Sequence, residues 1–142
     1  MSPDAKPFRL LPAVTPENEH FWRGGADGEL RFLYCEACEG FIHPPQPRCP
    51  QCLADRLVVR AASGRAHLHT FTINHQPWIP GFDPPYVIAI VTLAEQPDVR
   101  LTTNVVGCEP DALRIGMPLR VRFEACDDGI FLPLFEPDEA TT

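Results

Sequence analysis

Four cysteines are the residues of this chain best placed to do chemistry, and they form two Cys-x-x-Cys pairs. The first pair is Cys35 and Cys38, and the second is Cys49 and Cys52. Each pair lets the backbone curl so that two sulfurs point at one centre, and two pairs supply the four soft ligands of a tetrahedral Zn²⁺ site. The segment between the pairs is short and rich in proline, which predicts a strand and a turn rather than a helix. The spacing therefore predicts a structural zinc site of the ribbon type.

Two other uses of these cysteines compete with zinc. An iron site of the rubredoxin type accepts the same four thiolates, and ligand type alone does not separate the two metals. Two disulfides are the second alternative, but the first residues lack the basic region and apolar stretch of a secretory signal. We therefore expect a cytoplasmic protein that keeps its thiols reduced. Cys108 and Cys126 have no partner at ligand spacing, and we expect both to be buried structural thiols.

The charge balance and the apolar runs each argue against one class of partner. The chain has 12 basic and 19 acidic residues, a net charge of −7, and no cluster of Lys and Arg that would neutralise phosphates. This argues against nucleic acid as the ligand. No apolar run approaches the length of about 18 residues that a membrane helix requires. We expect neither nucleic acid nor membrane to be a partner.

The pattern of apolar residues predicts a mainly β protein with a short helix near the N-terminus, over residues 15–24. Thr15 would cap this helix and the glycines after Arg23 would stop it. Two strands should flank the cysteine pairs, at 30–34 and 56–60. Five more should form a small closed barrel of the OB type, at 65–75, 86–93, 99–108, 119–125 and 130–135. A helical turn is expected at 110–114, between the third and fourth barrel strands.

These elements divide the chain into four predicted parts: an N-terminal arm and helix at 1–29, a rubredoxin-like zinc ribbon at 30–60, the OB fold at 61–136 and a flexible acidic tail at 137–142. The strand over 86–93 is apolar on both faces, which is typical of a strand covered on both sides. Pro133 places the last strand at an edge or a bulge. The fourth barrel strand alternates, and the residues expected to face inward are Leu119, Val121, Phe123 and Ala125.

Two apolar clusters are candidates for a partner interface. One is the pair Phe21 and Trp22, which lies on one broad face of the predicted helix. The other is a proline-rich loop after the first barrel strand, in which the candidate residues are His75, Trp78, Ile79 and Phe82. The alternatives are that the helix packs on the body of this protein and that the loop is a hydrophobic lid on the barrel.

The sequence predicts no catalytic residue. It contains no Gly-x-Ser-x-Gly elbow, phosphate loop or dinucleotide fingerprint. Two histidines, His67 and His69, would share a face of one strand, but a second metal site needs a third ligand that the nearby sequence does not offer. We expect all five histidines, which also include His20, His43 and His75, to be exposed or satisfied structural residues.

Short motifs along nearly the whole chain carry a resemblance to a known family. They are Phe21-Trp22, Gly28-Glu29-Leu30, Pro44-Pro45, Arg48-Cys49-Pro50-Gln51-Cys52, Ser63-Gly64-Arg65, Pro85-Tyr86-Val87-Ile88-Ala89, Ile115-Gly116-Met117-Pro118 and Leu132-Pro133-Leu134-Phe135. In this order they resemble the zinc-ribbon and OB-fold proteins of the DUF35 type, which accompany thiolase-like enzymes. The chain departs from the family at Glu39, where glycine is usual, and this change should shift the first cysteine turn without removing a ligand.

The resemblance implies an accessory subunit rather than an independent enzyme. Relatives bind thiolase-superfamily proteins, including lipid-transfer-protein-like thiolases and aldolases that cleave acyl-CoA side chains of steroids. By analogy, the partner would carry the catalytic residues and hold most of the acyl-CoA, and a 2:2 heterotetramer is expected. The alternative function is a stand-alone OB module that binds acyl-CoA itself.

Overall fold

The computed structural model describes residues 10–78 and 83–138, and in these ranges the chain is mostly strand. It contains one short α-helix and eight strands, numbered here in chain order. Their bounds are α1 Glu19–Arg23, β1 Leu30–Cys35, β2 Gly40–Ile42, β3 Leu57–Ala62, β4 Arg65–Asn74, β5 Tyr86–Leu93, β6 Arg100–Val105, β7 Pro118–Ala125 and β8 Phe131–Pro137. Short 3₁₀ turns cover Gly24–Asp27, Pro110–Ala112 and Asp127–Gly129. No helix in the described ranges is long and apolar enough to cross a membrane.

The first three strands form an antiparallel sheet in the order β2-β1-β3. The predicted strands at 30–34 and 56–60 correspond to β1 and β3. Strand β1 lies in the middle, so that Cys35 at its end is opposite Gly40 on one side and Leu57 on the other. Strand β3 continues to Ala62, past the expected end of the ribbon at residue 60.

The remaining strands close into a five-stranded barrel in the order β4-β5-β6-β8-β7, with β7 paired to β4. Neighbouring strands are antiparallel except β6 and β8, which are parallel and share one register pair, Val105 with Phe135. The 3₁₀ turn at Pro110–Ala112 lies between the third and fourth barrel strands, where the sequence predicts a helical turn. Strand number, order and connection are those of an OB fold, which confirms the predicted fold class.

Strand β5 differs from the expectation that both of its faces are covered. The face that points into the barrel is buried, and its residues are Val87, Ala89, Val91 and Leu93. On the outward face, Ile88 is 39% exposed and Ile90 is partly buried. A closed barrel encloses only one face of each strand, so the second apolar face of β5 remains at the surface.

Strand β7 follows the predicted alternation along only part of its length. Leu119 is fully buried, whereas Val121 and Phe123 are partly buried and Ala125 is exposed. Ala125 pairs with Phe131 at the hairpin end of the two strands, where the barrel interior stops. Distance from the barrel centre, rather than alternation alone, therefore sets the burial along this strand.

The last strand corrects two further expectations. Strand β8 lies between β6 and β7 rather than at an edge, and Pro133 is tolerated there because β8 pairs with β6 only at Phe135. The strand continues to Pro137, and Asp138 is buried with a carboxylate oxygen 3.8 Å from Arg65 Nε. The first two residues of the expected tail therefore belong to the barrel, and residues 139–142 lie outside the described ranges.

The N-terminal helix begins later than predicted, but it ends at Arg23, before the glycine pair expected to stop it. Before the helix, the Thr15 N–H donates to Asn18 Oδ1 at 2.7 Å, and α1 starts only at Glu19. The glycine pair then begins a separate 3₁₀ turn. Gly28, with a φ of 70°, ends that turn in the left-handed conformation that glycine adopts at low cost.

Helix α1 lies where β6 and β8 diverge. Phe21 and Trp22 line a groove of about 150 Å³ together with residues of both strands. The Phe21 ring lies 4.9 Å from the His43 ring and 5.9 Å from the Phe32 ring, measured between centroids. Phe21 and Phe32 belong to the same buried cluster as the barrel interior. The helix, the inner side of the ribbon and the barrel therefore share one hydrophobic core.

The turn between β5 and β6 makes a second connection between ribbon and barrel. Gln96 Nε2 donates to the Phe41 carbonyl at 2.9 Å, and Gln96 Oε1 accepts from the Phe41 N–H at 2.7 Å. The Glu95 carboxylate accepts from the Ser63 N–H at 2.8 Å and from the Ser63 hydroxyl at 3.1 Å. These hydrogen bonds fix the ribbon against the barrel at a place separate from the shared core.

Candidate metal centre and partner surface

The two Cys-x-x-Cys segments form two turns of the same design. The Glu39 N–H donates to the Cys35 carbonyl at 2.8 Å, and the Leu53 N–H donates to the Cys49 carbonyl at 2.9 Å. Glu39 and Leu53 have φ values of 58° and 61°, in the left-handed region that favours glycine. Glu39 thus adopts a conformation that glycine favours, and the first turn makes the same backbone hydrogen bond as the second.

The four sulfurs converge as the sequence predicts. The Sγ atoms of Cys35, Cys38, Cys49 and Cys52 all lie within 4.8 Å of one another. Cys35 Sγ and Cys52 Sγ are 3.7 Å apart, and Cys38 Sγ and Cys49 Sγ are 3.6 Å apart. A regular tetrahedron with Zn–S bonds of about 2.3 Å has sulfur–sulfur edges of about 3.8 Å. The donor set therefore fits a four-coordinate metal ion, and none of the six cysteines, all of which lie in the described ranges, forms a disulfide.

Two of these sulfurs accept hydrogen bonds from backbone N–H groups. The Cys38 N–H donates to Cys35 Sγ and the Gln51 N–H donates to Cys49 Sγ, each at 3.4 Å. Backbone N–H groups of Cys52 and Gln51 lower the pKa of the Cys49 thiol to about 7, although burial opposes this effect. The pKa of Cys38 is raised, because its thiol shares hydrogen bonds with Cys52 and Cys49. Metal binding requires thiolates, so a bound cation would replace the protons that these sulfurs share.

The surroundings of the sulfurs indicate a structural site. Cys35 and Cys49 are buried with Ile42, and Cys38 and Cys52 lie at the surface. With four protein ligands, a tetrahedral ion has no open position for water or substrate, which distinguishes a structural from a catalytic site. When bound, the ion would supply cross-links between the two turns.

The remaining thiols and strand histidines have ordinary surroundings. Cys108 and Cys126 are partly buried rather than fully buried, and burial raises the pKa of Cys108, with a smaller contribution from the adjacent carboxylate. The three histidines of the barrel are exposed, as expected of structural strand and loop residues: His67, His69 and His75.

The other two histidines lie at the junction of helix and ribbon, a position that no local sequence pattern predicts. The His43 ring lies 5.3 Å from the Phe32 ring and also contacts Phe21. Burial lowers the pKa of His43 to about 4, with a further contribution from His20. Burial, followed by the charge of Arg31, lowers the pKa of His20, whose Nε2 is buried without a hydrogen-bond partner. Both side chains are therefore neutral at pH 7.

The residues of this chain that were predicted to contact a partner differ in how the structure places them. Trp78 is 72% exposed, and its indole N–H donates to Asn74 Oδ1 at 3.0 Å. Asn74 Nδ2 in turn donates to the Gln76 carbonyl at 2.6 Å, so the exposed indole is held in one orientation. His75 beside it is exposed. Two other predicted residues, Ile79 and Phe82, lie outside the described ranges.

The helix pair divides between the core and the surface. Phe21 is only 6% exposed because its ring packs inside the shared core, so it presents little surface to a partner. Trp22 is partly buried, with its ring edge-on to Phe21 at 4.7 Å. Phe21 therefore contacts the body of its own chain, which is the alternative expected for this helix, and its contact with a partner stays a prediction.

Two family models match consecutive parts of the chain. One, described as the rubredoxin-like zinc ribbon domain of ChsH2, matches residues 22–58. The other, described as the C-terminal OB-fold domain of ChsH2, matches residues 59–124. The four cysteines lie inside the first match, and the boundary between the two matches falls within β3.

Named relatives cover most of this chain. A Thermomonospora curvata protein named a probable enoyl-CoA hydratase alpha subunit is 35% identical over 132 residues, which are 93% of this chain and 41% of that protein. A Mycobacterium tuberculosis protein named 3-oxo-4,17-pregnadiene-20-carboxyl-CoA hydratase alpha subunit is 33% identical over 140 residues, 98% of this chain and 42% of that protein. The chain thus spans about two fifths of the length of these two relatives. A Methanothermobacter thermautotrophicus protein named a DUF35 domain-containing scaffold protein is 31% identical over 102 residues, 68% of this chain and 75% of that protein.

Solved structures share the fold. A chain described as an Ltp2-ChsH2(DUF35) aldolase superimposes with a TM-score of 0.80 at 35% identity, over 89% of this chain and 98% of that chain. A DUF35 protein of unknown function from Sulfolobus solfataricus superimposes with a TM-score of 0.60 at 16% identity, over 87% of this chain and 86% of that one. The chain therefore belongs to the DUF35 family, with the zinc-ribbon and OB-fold arrangement of the ChsH2 proteins.

Proposed function

We propose that this chain is a non-catalytic accessory subunit that binds and stabilises a thiolase-like enzyme in the cytoplasm. The partner supplies the catalytic residues and most of the acyl-CoA site. Its reaction makes or cleaves C–C bonds in acyl-CoA substrates, such as the cleavage of a steroid side chain by an aldolase. Thiolase-like enzymes are commonly dimers, so we assign the complex a 2:2 composition.

The observation that carries this proposal is the likeness to the chain of the Ltp2-ChsH2(DUF35) aldolase. That chain is matched over 98% of its length with a TM-score of 0.80, so the likeness concerns the entire fold rather than one module. Its description names an Ltp2 component beside the ChsH2 component, and we place the thiolase-like partner in the Ltp2 position. The hydratase alpha subunits support this less directly, because this chain spans only 41–42% of their length.

We further propose that the ion is zinc and that its role is structural. The sulfur positions fit a closed tetrahedral site, and a structural ion would rigidify the ribbon that packs on the barrel. Elemental analysis of the purified native protein tests this. One zinc per chain in a colourless protein is the expected result, and a coloured iron-containing protein would contradict it.

Co-expression with a thiolase-like subunit of the same organism tests the partnership. We expect a complex whose mass by light scattering equals two copies of each chain. The matched control is this chain expressed alone, with a chain mass of 15.9 kDa. Elution of this chain as a separate species, with the partner present and folded, would contradict the proposal.

Binding of an acyl-CoA by this chain alone is the competing function. Small-molecule sites commonly enclose about 300 Å³ or more. The groove beside α1 has a volume of only about 150 Å³, whereas a cavity lined by Arg65, His67 and Asp138 has about 290 Å³ and is the better candidate for such a site. Calorimetric titration of the isolated chain with acetyl-CoA and with a longer acyl-CoA separates the two functions. Binding in the micromolar range without any partner would favour the stand-alone module.

A further inference from the structure

The outer surface of the barrel differs from one side to the other. On β4, β5 and β6, two adjacent rows of outward side chains carry no charge, as the strand register shows, and the row beside them (His67, Thr92 and Arg100) contains one arginine. The first row is Thr70, Ile90 and Thr102, and the second is Thr72, Ile88 and Asn104. No residue of these two rows carries a charge, and Thr70, Thr72, Ile88 and Thr102 are exposed. We call these six residues the neutral face.

The opposite side of the barrel carries charges. On β7 and β8, Arg120 Nε lies 3.0 Å from Glu136 Oε1, and Arg122 Nη1 lies 3.5 Å from Glu136 Oε2. The two arginine side chains are 53% and 59% exposed. This side has the composition of an ordinary solvated surface, since exposed ion pairs of this kind form readily in water. The neutral face, by contrast, contains no charged side chain.

A tryptophan borders the neutral face on each of two sides. Beyond the second row, Asn74 pairs with Tyr86, and Asn74 holds the exposed indole of Trp78 through the 3.0 Å hydrogen bond. Beside β6, Trp22 lines the groove to which Thr102 and Asn104 also contribute. Trp78 is therefore fixed before any partner arrives, which reduces the entropy lost when it docks.

We propose that the neutral face, together with Trp78 and Trp22, is the surface that docks on the partner subunit. This inference rests on the proposed function and adds the place and chemistry of the contact. The matching partner surface has apolar, hydroxyl and amide side chains and no charge, because an unpaired charge buried against the neutral face would lose its hydration without gaining a counter-ion. Charge is likewise depleted at the centres of stable protein interfaces, where aromatic residues are enriched.

The size of the surface explains why both tryptophans are needed. Strands lie about 4.8 Å apart and same-face residues about 7 Å apart, so the neutral face spans only about 10 Å by 7 Å between Cα positions. A stable interface buries about 800 Å² on each partner. The two indoles extend the contact beyond the sheet in two directions, and Trp78, which is 72% exposed, offers more surface than the partly buried Trp22.

The docking is tested by the dissociation constant between this chain and the thiolase-like subunit. We expect Ile88→Lys to weaken binding about 100-fold and Trp78→Ala to weaken it about tenfold or more. The matched control is Val59→Lys, because Val59 is 50% exposed, lies on strand β3 of the ribbon and is outside the neutral face. It should change the dissociation constant by less than about threefold. Circular dichroism and thermal melting of each variant confirm that it is folded.

Fluorine NMR locates the contact without relying on substitutions in it. The chain has two tryptophans, so incorporation of 5-fluorotryptophan gives two resonances, which Trp22→Phe assigns. Both resonances should shift when the unlabelled partner is added, and the Trp78 resonance should lose its H₂O/D₂O solvent isotope shift. A Trp78 resonance that keeps this isotope shift in the complex would overturn the assignment.

The outcomes separate this inference from the proposed function. If the wild-type chain does not bind the thiolase-like subunit, both are overturned. If it binds and Val59→Lys abolishes binding while Ile88→Lys does not, the function stands and the neutral face is rejected. If sedimentation shows that the isolated chain forms a dimer that Ile88→Lys dissociates, a second copy of this chain occupies the face and the proposed partner contact is rejected.

Discussion

The ribbon and the barrel are stabilised in different ways within one chain. The barrel interior is a continuous cluster of buried aliphatic and aromatic side chains, and the inner side of the ribbon joins it. At its metal end, the ribbon has a separate cluster of only three buried residues, Cys35, Ile42 and Cys49. Two of those three are metal ligands. This difference predicts that the metal end depends on an ion for the stability that the barrel obtains from apolar burial.

Loss of one cysteine ligand should produce the largest difference in stability between the ribbon and the barrel. We expect Cys49→Ser to lose the metal and unfold the two cysteine turns, because structural zinc binding contributes roughly 10 kcal/mol or more to folding. The barrel strands should keep their slow amide exchange, since their core contains no metal ligand. Metal content and hydrogen exchange measured by mass spectrometry give the two readouts.

Cys126→Ser is the matched control for this prediction, because Cys126 is partly buried, lies outside the sulfur cluster and donates from its thiol to the Glu124 carbonyl at 3.6 Å. It should keep one metal ion per chain and unchanged exchange in the ribbon. A metal-free Cys49→Ser protein with wild-type exchange throughout the ribbon would show that the ion is dispensable and would remove the contrast between the regions.

The second largest effect should come from the residue that joins the regions. Phe21→Ala removes a buried ring from the shared core, and such truncations cost about 3–5 kcal/mol. Because Phe21 contacts both Phe32 and His43 of the ribbon, we expect ribbon and barrel to unfold in two steps rather than one. Urea unfolding followed by fluorescence and by metal release measures both steps.

Leu10→Ala is the control for that experiment, since Leu10 is an apolar residue that is 78% exposed. It should change the free energy of unfolding by less than about 0.5 kcal/mol. Coincident transitions in Phe21→Ala, at wild-type stability, would mean that the helix does not couple the two regions.

The features that the sequence could predict are those encoded by local patterns. The cysteine spacing located the four ligands, since covalent geometry brings the two thiols of a Cys-x-x-Cys segment together. Alternation and turn residues located the barrel strands, because both are local signals. The burial of Phe21 and His43 depends on a helix that docks on strands distant in sequence, and no local pattern encodes that contact. The exposed outer face of β5 was missed because a continuous apolar run has the same pattern whether one or both faces are covered.

The pH dependence of stability tests the junction between the regions. The pKa of His43 is about 4 in the folded protein and 6.5 is its ordinary value, so the unfolded chain binds more protons between these two pH values. Stability is therefore complete above pH 6.5 and falls as the pH drops towards 4, by at most about 3 kcal/mol. Urea midpoints of wild type and His43→Phe from pH 7.5 to 4.5 measure the difference.

The comparison between the two proteins cancels the groups that do not interact with His43, because both proteins retain the cysteines and the exposed histidines. His20 is the exception, since its charge also lowers the pKa of His43. The wild-type curve should fall more steeply with decreasing pH than the His43→Phe curve. Parallel curves would mean that His43 is accessible to protons in the folded state, and the aromatic junction would then be looser than the structure shows.

The smallest effect should come from the backbone of the first cysteine turn. Glu39 has a φ of 58°, and a side chain in this conformation costs roughly 1–2 kcal/mol. Glu39→Gly removes this cost but gives the unfolded chain more freedom, so we expect a net stabilisation of about 0.5–1 kcal/mol.

Glu36→Gly is the control for this prediction. Glu36 is exposed and does not have a positive φ, so the Glu36→Gly protein should not be stabilised. The gain should appear in metal retention against a chelator rather than in the barrel transition, since the strain lies between two ligands. A gain in barrel stability alone would place the strain elsewhere and would show that the two regions are less independent than their separate clusters indicate.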